Sequence, residues 1–328
     1  NNSVFLQYRN PGSLVQKRGT MARSVLSDRS VSFGIITIIL TVFAMALTDA
    51  FVKYASSDLG LWQIFVCRSV LALPILVFMA RGRVSPDRNV WISFRSLLLV
   101  LMYQAIYGAI HVLDISVIAA TLYTAPLFIV ILSALFLKER IKLTHCCAIS
   151  LGFVGVLFVV QPRGAEFTVL SLIPIAAAVL YAAAAVLTRA KCADEPPERM
   201  AINLNPALLI CGALVSCTLW LFTVPEASTY PFLLGTWSGF DQKAIGILLV
   251  LATLIVGVTL GQARAYQSPK PHVIATFDYS YLIFAAFWGF VFFGEVPDRY
   301  MVAGISLIAF AGLMVLKADT DLAANRRK

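Results

Sequence analysis

Apolar residues in this chain come in runs of about 20, parted by short polar loops, with neither the alternation of a strand nor a one-sided helical stripe. As α-helix, such a run crosses about 30 Å of hydrocarbon. Ten spans can be placed: Phe33 to Val52, Leu61 to Ala80, Trp91 to Ile110, Ile115 to Leu137, Leu143 to Val160, Leu170 to Leu187, Leu204 to Val224, Ala244 to Ala263, Val273 to Phe293 and Tyr300 to Leu316. A membrane β-barrel needs alternating segments of roughly ten residues, and these runs are too long and too uniformly apolar for that. The pattern predicts an all-α integral membrane protein of ten transmembrane helices.

The pattern also repeats. Sliding the chain by 156 positions lays Val117-Ile118-Ala119 on Val273-Ile274-Ala275, Tyr123 on Tyr279, Phe128 on Phe284, Phe136 on Phe292, Glu139 on Glu295 and Ile149-Ser150-Leu151 on Ile305-Ser306-Leu307. The register holds without a gap across two spans and the loop between them, which chance similarity of apolar stretches does not account for. The expected organisation is a polar N-terminal arm (1–30), two five-helix repeats (31–162 and 168–317) and a polar tail (318–328). Such duplication is common in transporters, whose halves enclose a site near the bilayer midplane.

Composition agrees: 59% of residues are hydrophobic and 13% charged, with mean hydropathy +0.84, against roughly 25% charged in a soluble domain. The net charge of +9 is scattered over short loops and forms no patch for nucleic acid. Its placement is topological. Arg23 and Arg29 precede span 1, Arg81, Arg83, Arg88 and Arg95 surround the second loop, and Lys138, Arg140 and Lys142 fill the fourth. Arg189, Lys191 and Arg199 occupy the sixth, Arg264 and Lys270 the eighth, and Lys317, Arg326, Arg327 and Lys328 the tail. Both termini are expected on the cytoplasmic side. With five spans per half, the repeats then enter the bilayer in opposite directions, with the Glu139 loop inside and the Glu295 loop outside. The stretch before Met21 lacks an apolar core and is read as upstream sequence or a disordered arm. The six cysteines form no C-x-x-C pair and read as small packing residues.

Ionisable groups inside spans are costly, and a partner or a wet cavity is what makes them tolerable. Asp49 and Lys53, four apart on span 1, share a face and can neutralise each other; an ion pair near the outer interface and a cavity role both stay open. Arg68 lies about 10 Å into span 2 and points to function. Gln104, Tyr107 and His111 form a polar stripe on span 3, suited to a cavity or to bonding between helices. Span 9 carries Asp278, Tyr279 (the repeat partner of Tyr123 in span 4) and Tyr281. An unpaired carboxylate there would serve proton coupling; a salt bridge to Arg264 or Lys270 is the competing reading. Pro126 is expected to break span 4, and Pro74 and Pro174 to interrupt spans 2 and 6.

The strings Leu122 to Glu139 (LYTAPLFIVILSALFLKE) and Phe277 to Pro297 (FDYSYLIFAAFWGFVFFGEVP), with Thr48-Asp49-Ala50 to Lys53 and Cys67-Arg68-Ser69, resemble the EamA-type branch of the drug/metabolite transporter superfamily. The resemblance runs from about Val31 to Leu316. It implies ten helices around a central cavity lined mainly by spans 1, 3, 4, 6, 8 and 9, with spans 5 and 10 toward the periphery. Asp49, Lys53, Arg68, Asp278 and Tyr279 fall on positions which that branch tends to fill with the same types. The chain departs at Lys138, where first-half members usually carry Gly, so a less tight turn is expected.

The function expected is secondary transport of a small polar metabolite, such as an amino acid or S-adenosylmethionine, across the bacterial inner membrane by alternating access. Riboflavin-like uptake is the alternative. A membrane enzyme or receptor is the rival class, and no H-E-x-x-H or G-x-S-x-G motif supports the enzyme. Without a phosphate-binding loop, energy must come from gradients. A channel would ordinarily need oligomeric rings or a filter. No metal or other cofactor is expected; the partners are a metabolite and membrane lipid, with a second copy of the chain as an option.

Overall fold

In the computed structural model, residues 11–80, 89–109, 113, 115–139, 141–161, 170, 172–222 and 225–325 are described. Among them the regular structure is helical: α1 (Pro11–Ala55), α2 (Leu61–Ala80), α3 (Val90–Ala109), α4 (Ile115–Leu122), α5 (Ala125–Phe136), α6 (Leu143–Val160), α7 (Leu172–Lys191), α8 (Pro197–Leu221), α9 (Pro231–Leu234), α10 (Gln242–Tyr266), α11 (Pro271–Asp278), α12 (Ser280–Phe293) and α13 (Arg299–Asn325), with a 3-10 turn at Pro225–Ser228. Seven segments are long and apolar enough to cross a membrane, taking α11 and α12 together as one, and Val90–Ile106, Ala125–Phe136 and Arg299–Val315 are shorter apolar helices. The chain is an all-α membrane protein. Residues 11–29 are helical and continuous with α1, where a disordered arm had been one expectation.

The helices are inside out compared with those of a soluble protein. On α1, Val31, Ile35, Ile38, Val42 and Ala46 are buried while Phe33, Ile36 and Leu40 lie exposed, the face a lipid tail would wet. Small residues supply the inner faces, as where Ala177, Ala178, Ala182, Ala184 and Ala185 of α7 are buried. Packing in hydrocarbon depends on such close approach.

Contacts between helices are nearly closed under exchange of the halves. α6 lies against α13, α2 against α8 and α5 against α11. The pairing of α1 with α10 has its counterpart in α3 with α7, that of α1 with α12 in α5 with α7, and that of α2 with α10 in α3 with α8. The α6–α13 pair runs antiparallel. Gln161 at the end of α6 donates to Asp298 at the start of α13 (2.8 Å), and further along Gly152 faces Ala311. A Cβ on Gly155 would stand 2.8 Å from the carbonyl oxygen of Gly304, so α6 and α13 touch backbone to backbone.

Span 4 is broken at Tyr123-Thr124 and span 9 at Tyr279. The hydroxyls of Thr124 and Ser280, themselves 156 positions apart, donate to the carbonyls three residues back, Thr121 and Phe277 (both 2.6 Å). Each break thus satisfies an acceptor that lipid could not. Pro126 sits in the first turn of α5 just after the first break, where it lacks no bond it would otherwise make. Pro74 and Pro174 do not interrupt their helices: Pro74 lies within a continuous α2, and Pro174 falls in the first turn of α7. Arg95, read as a loop charge, is buried on α3 with Nε donating to Thr188 of α7 (2.7 Å).

The two repeat-related glutamates lie toward opposite ends of the apolar part of α1, Ser30–Ala55. Gly34 near its start meets Ser268 and Ile274, neighbours of the His272 that holds Glu139, whereas Lys53 near its end holds Glu295. The turns leading to them share a backbone: Lys138 has φ 53° and Gly294 φ 66°. The expected looser turn at Lys138 is therefore absent, and a lysine accepts the left-handed conformation that its repeat partner meets with glycine. That conformation costs a residue with a Cβ about 1 kcal/mol or more, so Lys138→Gly should raise the thermal unfolding midpoint of the purified protein, stabilising it by about 1 kcal/mol.

Candidate functional site

A cavity of about 130 Å³ lies between the halves. Met45 of α1, Met102, Tyr103 and Ile106 of α3, and Leu122, Tyr123, Ala125 and Pro126 around the first break form one wall. Tyr181 of α7, Gln262 of α10 and the pair Asp278 and Tyr281 flanking the second break form the other. These are spans 1, 3, 4, 6, 8 and 9, the six that the resemblance implied, and α6 with α13 stands outside them. Tyr123 and Asp278 stand beside the two helix breaks.

Asp278 is the best defined group. Its Oδ2 accepts hydrogen bonds from the hydroxyls of Tyr181 and Tyr266, both at 2.8 Å, and Gln262 donates to the Tyr181 oxygen at 2.8 Å. The expected salt bridge to Arg264 or Lys270 is not what holds it: Arg264 donates to Gln267 (3.2 Å) and stands over the Phe33 ring, and the partners of Asp278 are tyrosines. Uncharged donors leave its charge in place, where a salt bridge would cancel it.

Asp49 also finds a tyrosine. The hydroxyl of Tyr281, which lines the cavity, donates to its Oδ2 at 2.6 Å. Lys53, its expected partner, instead pairs with Glu295 at 2.5 Å and lies over the Phe293 ring, with both charged side chains 56% exposed. The cation felt by Asp49 is Arg68, whose charge also reaches Tyr103. Arg68 is 6% exposed, stacks on the Phe65 ring at 3.9 Å from its centroid and leaves Nε without an acceptor. Phe65 in turn packs against Tyr103. Arg68 thus backs the cavity wall one layer behind its surface.

The remaining candidates divide. Tyr123 faces Tyr281 with ring centroids 6.0 Å apart, both in the cavity lining. Tyr279 is fully buried on the far side of the break, its ring against Gly152 and its neighbours Val156, Leu282 and Ile308. Gln104 bonds the Cys211 sulfur of α8, the bonding role between helices. Tyr107 lies on α3 with its side chain outside the described residues, as His111 is altogether. Sequence reading missed Tyr181, Gln262 and Tyr266. Gln262 and Tyr266 stand four apart on α10, a polar pair on one helical face, and Tyr181 is a lone polar residue in a run of alanines.

Residues 32–161, from α1 through α6, match the EamA-like transporter family. Among its curated relatives are a riboflavin transporter of Brucella anthropi (26% identical, covering 80% of this chain and 88% of that protein) and the pseudopaline exporter CntI of Pseudomonas aeruginosa (28%, 85% and 94%). An S-adenosylmethionine uptake transporter of Rickettsia bellii is 23% identical, covering 89% of this chain and 96% of that protein. A solved crystal structure shares the fold of this chain, with TM-score 0.71 and 16% identity over 90% of this chain and 99% of the other.

Arg68→Leu should leave membrane yield intact, since an apolar side chain is tolerated inside the bundle at least as well as a guanidinium, but remove a cation acting on Asp49. We expect transport to fall at least about ten-fold in reconstituted vesicles, the scale of losing one buried charge partner; unchanged transport would show that Arg68 is only structural.

Proposed function

We propose that this chain is a secondary carrier for a small polar organic metabolite, working by alternating access in the bacterial cytoplasmic membrane with both termini inside. The observation that carries this reading is a cavity lined by six spans, three from each half of the chain. A pair of repeated halves has two conformations related by exchanging their roles, each open to one side. The ten-span count and the inverted repeat belong to this proposal, supported by the paired breaks at Tyr123-Thr124 and Tyr279. Relatives named for S-adenosylmethionine, riboflavin and pseudopaline support a metabolite as cargo. Amino acids or their derivatives fit first and a flavin second. One copy encloses the cavity, so the cycle requires no second copy. Coupling to protons is assigned to Asp278, an ionisable group in the cavity whose bonds come from neutral hydroxyls.

Glu139 bridges to His272 (2.8 Å) and Glu295 to Lys53 (2.5 Å), each joining the two halves. In the proposed cycle these are the latches at the two ends of the cavity. An exposed ion pair is worth about 0–1 kcal/mol, enough to bias the two conformations by about five-fold.

In liposomes carrying the purified protein, preloading with unlabelled substrate should accelerate entry of labelled substrate, and entry should saturate. Non-saturating flux without counterflow would replace the carrier with a channel. Lys53→Glu or Glu295→Lys alone should change the counterflow rate by about two- to five-fold, and the two together should restore it. An imposed pH gradient should drive accumulation by the wild type and not by Asp278→Asn.

A further inference from the structure

Four tyrosines, two methionines and one carboxylate meet in the cavity, and among the described residues no Lys, Arg or His lines it. We propose that the cavity selects a cationic group on its substrate, an ammonium or sulfonium centre, with Asp278 as counter-ion and Tyr103, Tyr123 and Tyr281 as the aromatic walls. This names the substrate class of the carrier reading above and rests on it.

The bonding of Asp278 carries the inference. Both tyrosine hydroxyls bond Oδ2; Oδ1 has no partner among the described residues, and it is not among the buried atoms sealed from solvent. Tyr181, fixed by Gln262, and Tyr266 come from two different helices, so the carboxylate is held in one orientation without being neutralised. No cation pairs with it among the described residues. At the neighbouring acid the balance differs, since Asp49 feels Arg68. Negative charge left over inside the bundle therefore concentrates on one oxygen at the cavity.

The walls suit the same ligand. Tyr123 and Tyr281 stand 6.0 Å apart at 35°, both rings in the lining, and the negative face of an aromatic ring attracts a cation most strongly when water is excluded. Met45 and Met102 add polarisable thioethers. An anion entering this space would meet a fixed carboxylate and no basic side chain on the lining.

The test uses purified full-length protein and matched probes: choline and benzyltrimethylammonium, each against its uncharged carbon isostere and a carboxylate of similar size. Thermal stabilisation and calorimetry should show each cation bound about ten-fold or more tightly than its isostere, with the carboxylates weaker still. Asp278→Asn should erase that preference and Tyr281→Leu reduce it several-fold. Should Asp278→Asn fail to yield monodisperse protein, Tyr281→Leu and Tyr123→Leu carry the test. Equal binding of cation and isostere, tighter binding of the carboxylate, or no cation binding would each overturn the inference. Cation binding without counterflow would leave it standing and remove the carrier reading instead; counterflow of uncharged or anionic solutes alone would do the reverse.

Discussion

Hydrocarbon offers nothing to a backbone carbonyl, and this chain breaks two helices where lipid surrounds the bundle. Each carbonyl there needs a donor inside the protein. At equivalent places the hydroxyls of Thr124 and Ser280 reach three residues back and join backbone N–H groups on the Thr121 and Phe277 carbonyls. Beside these breaks stand Tyr123 on one wall of the cavity and Asp278 with Tyr281 on the other.

A second consequence is electrostatic. Charges inside this bundle are handled by two strategies. Arg95 is satisfied by a threonine and Arg68 rests on an aromatic face, whereas the two acids, Asp49 and Asp278, are each held by tyrosine hydroxyls. A hydroxyl fixes geometry while leaving net charge behind; an ion pair would cancel it. The acids therefore remain chemically active toward whatever enters, while the Lys53–Glu295 ion pair and the Glu139–His272 contact lie at the ends.

Much of this was legible in the sequence. Hydropathy alone gave the helical class, and the offset of 156 lined up Tyr123 with Tyr279 before any coordinates placed both beside breaks. The resemblance pointed to the six lining helices. What sequence could not resolve was direction around each helix. Asp49 and Lys53 share a face at four-residue spacing, yet one turn of rise is enough to send the lysine to the Glu295 loop while the aspartate stays inside. Tyr279 and Tyr281 fall two apart across a break, so one packs outward against Gly152 and the other faces the cavity. Tyr181, Gln262 and Tyr266 escaped notice because single polar residues in apolar runs look like packing until the two tyrosines converge on one carboxylate with the glutamine behind Tyr181.

The seam between α6 and α13 has its own meaning. With Gly155 against Gly304 the backbones meet directly, and Ile308, Val159 and Phe158 close in around that contact. A Cβ on either glycine would press the helices apart. Seated at the edge of the bundle, away from the cavity, the two helices are fitted to behave as a single body that ties the end of one half to the end of the other.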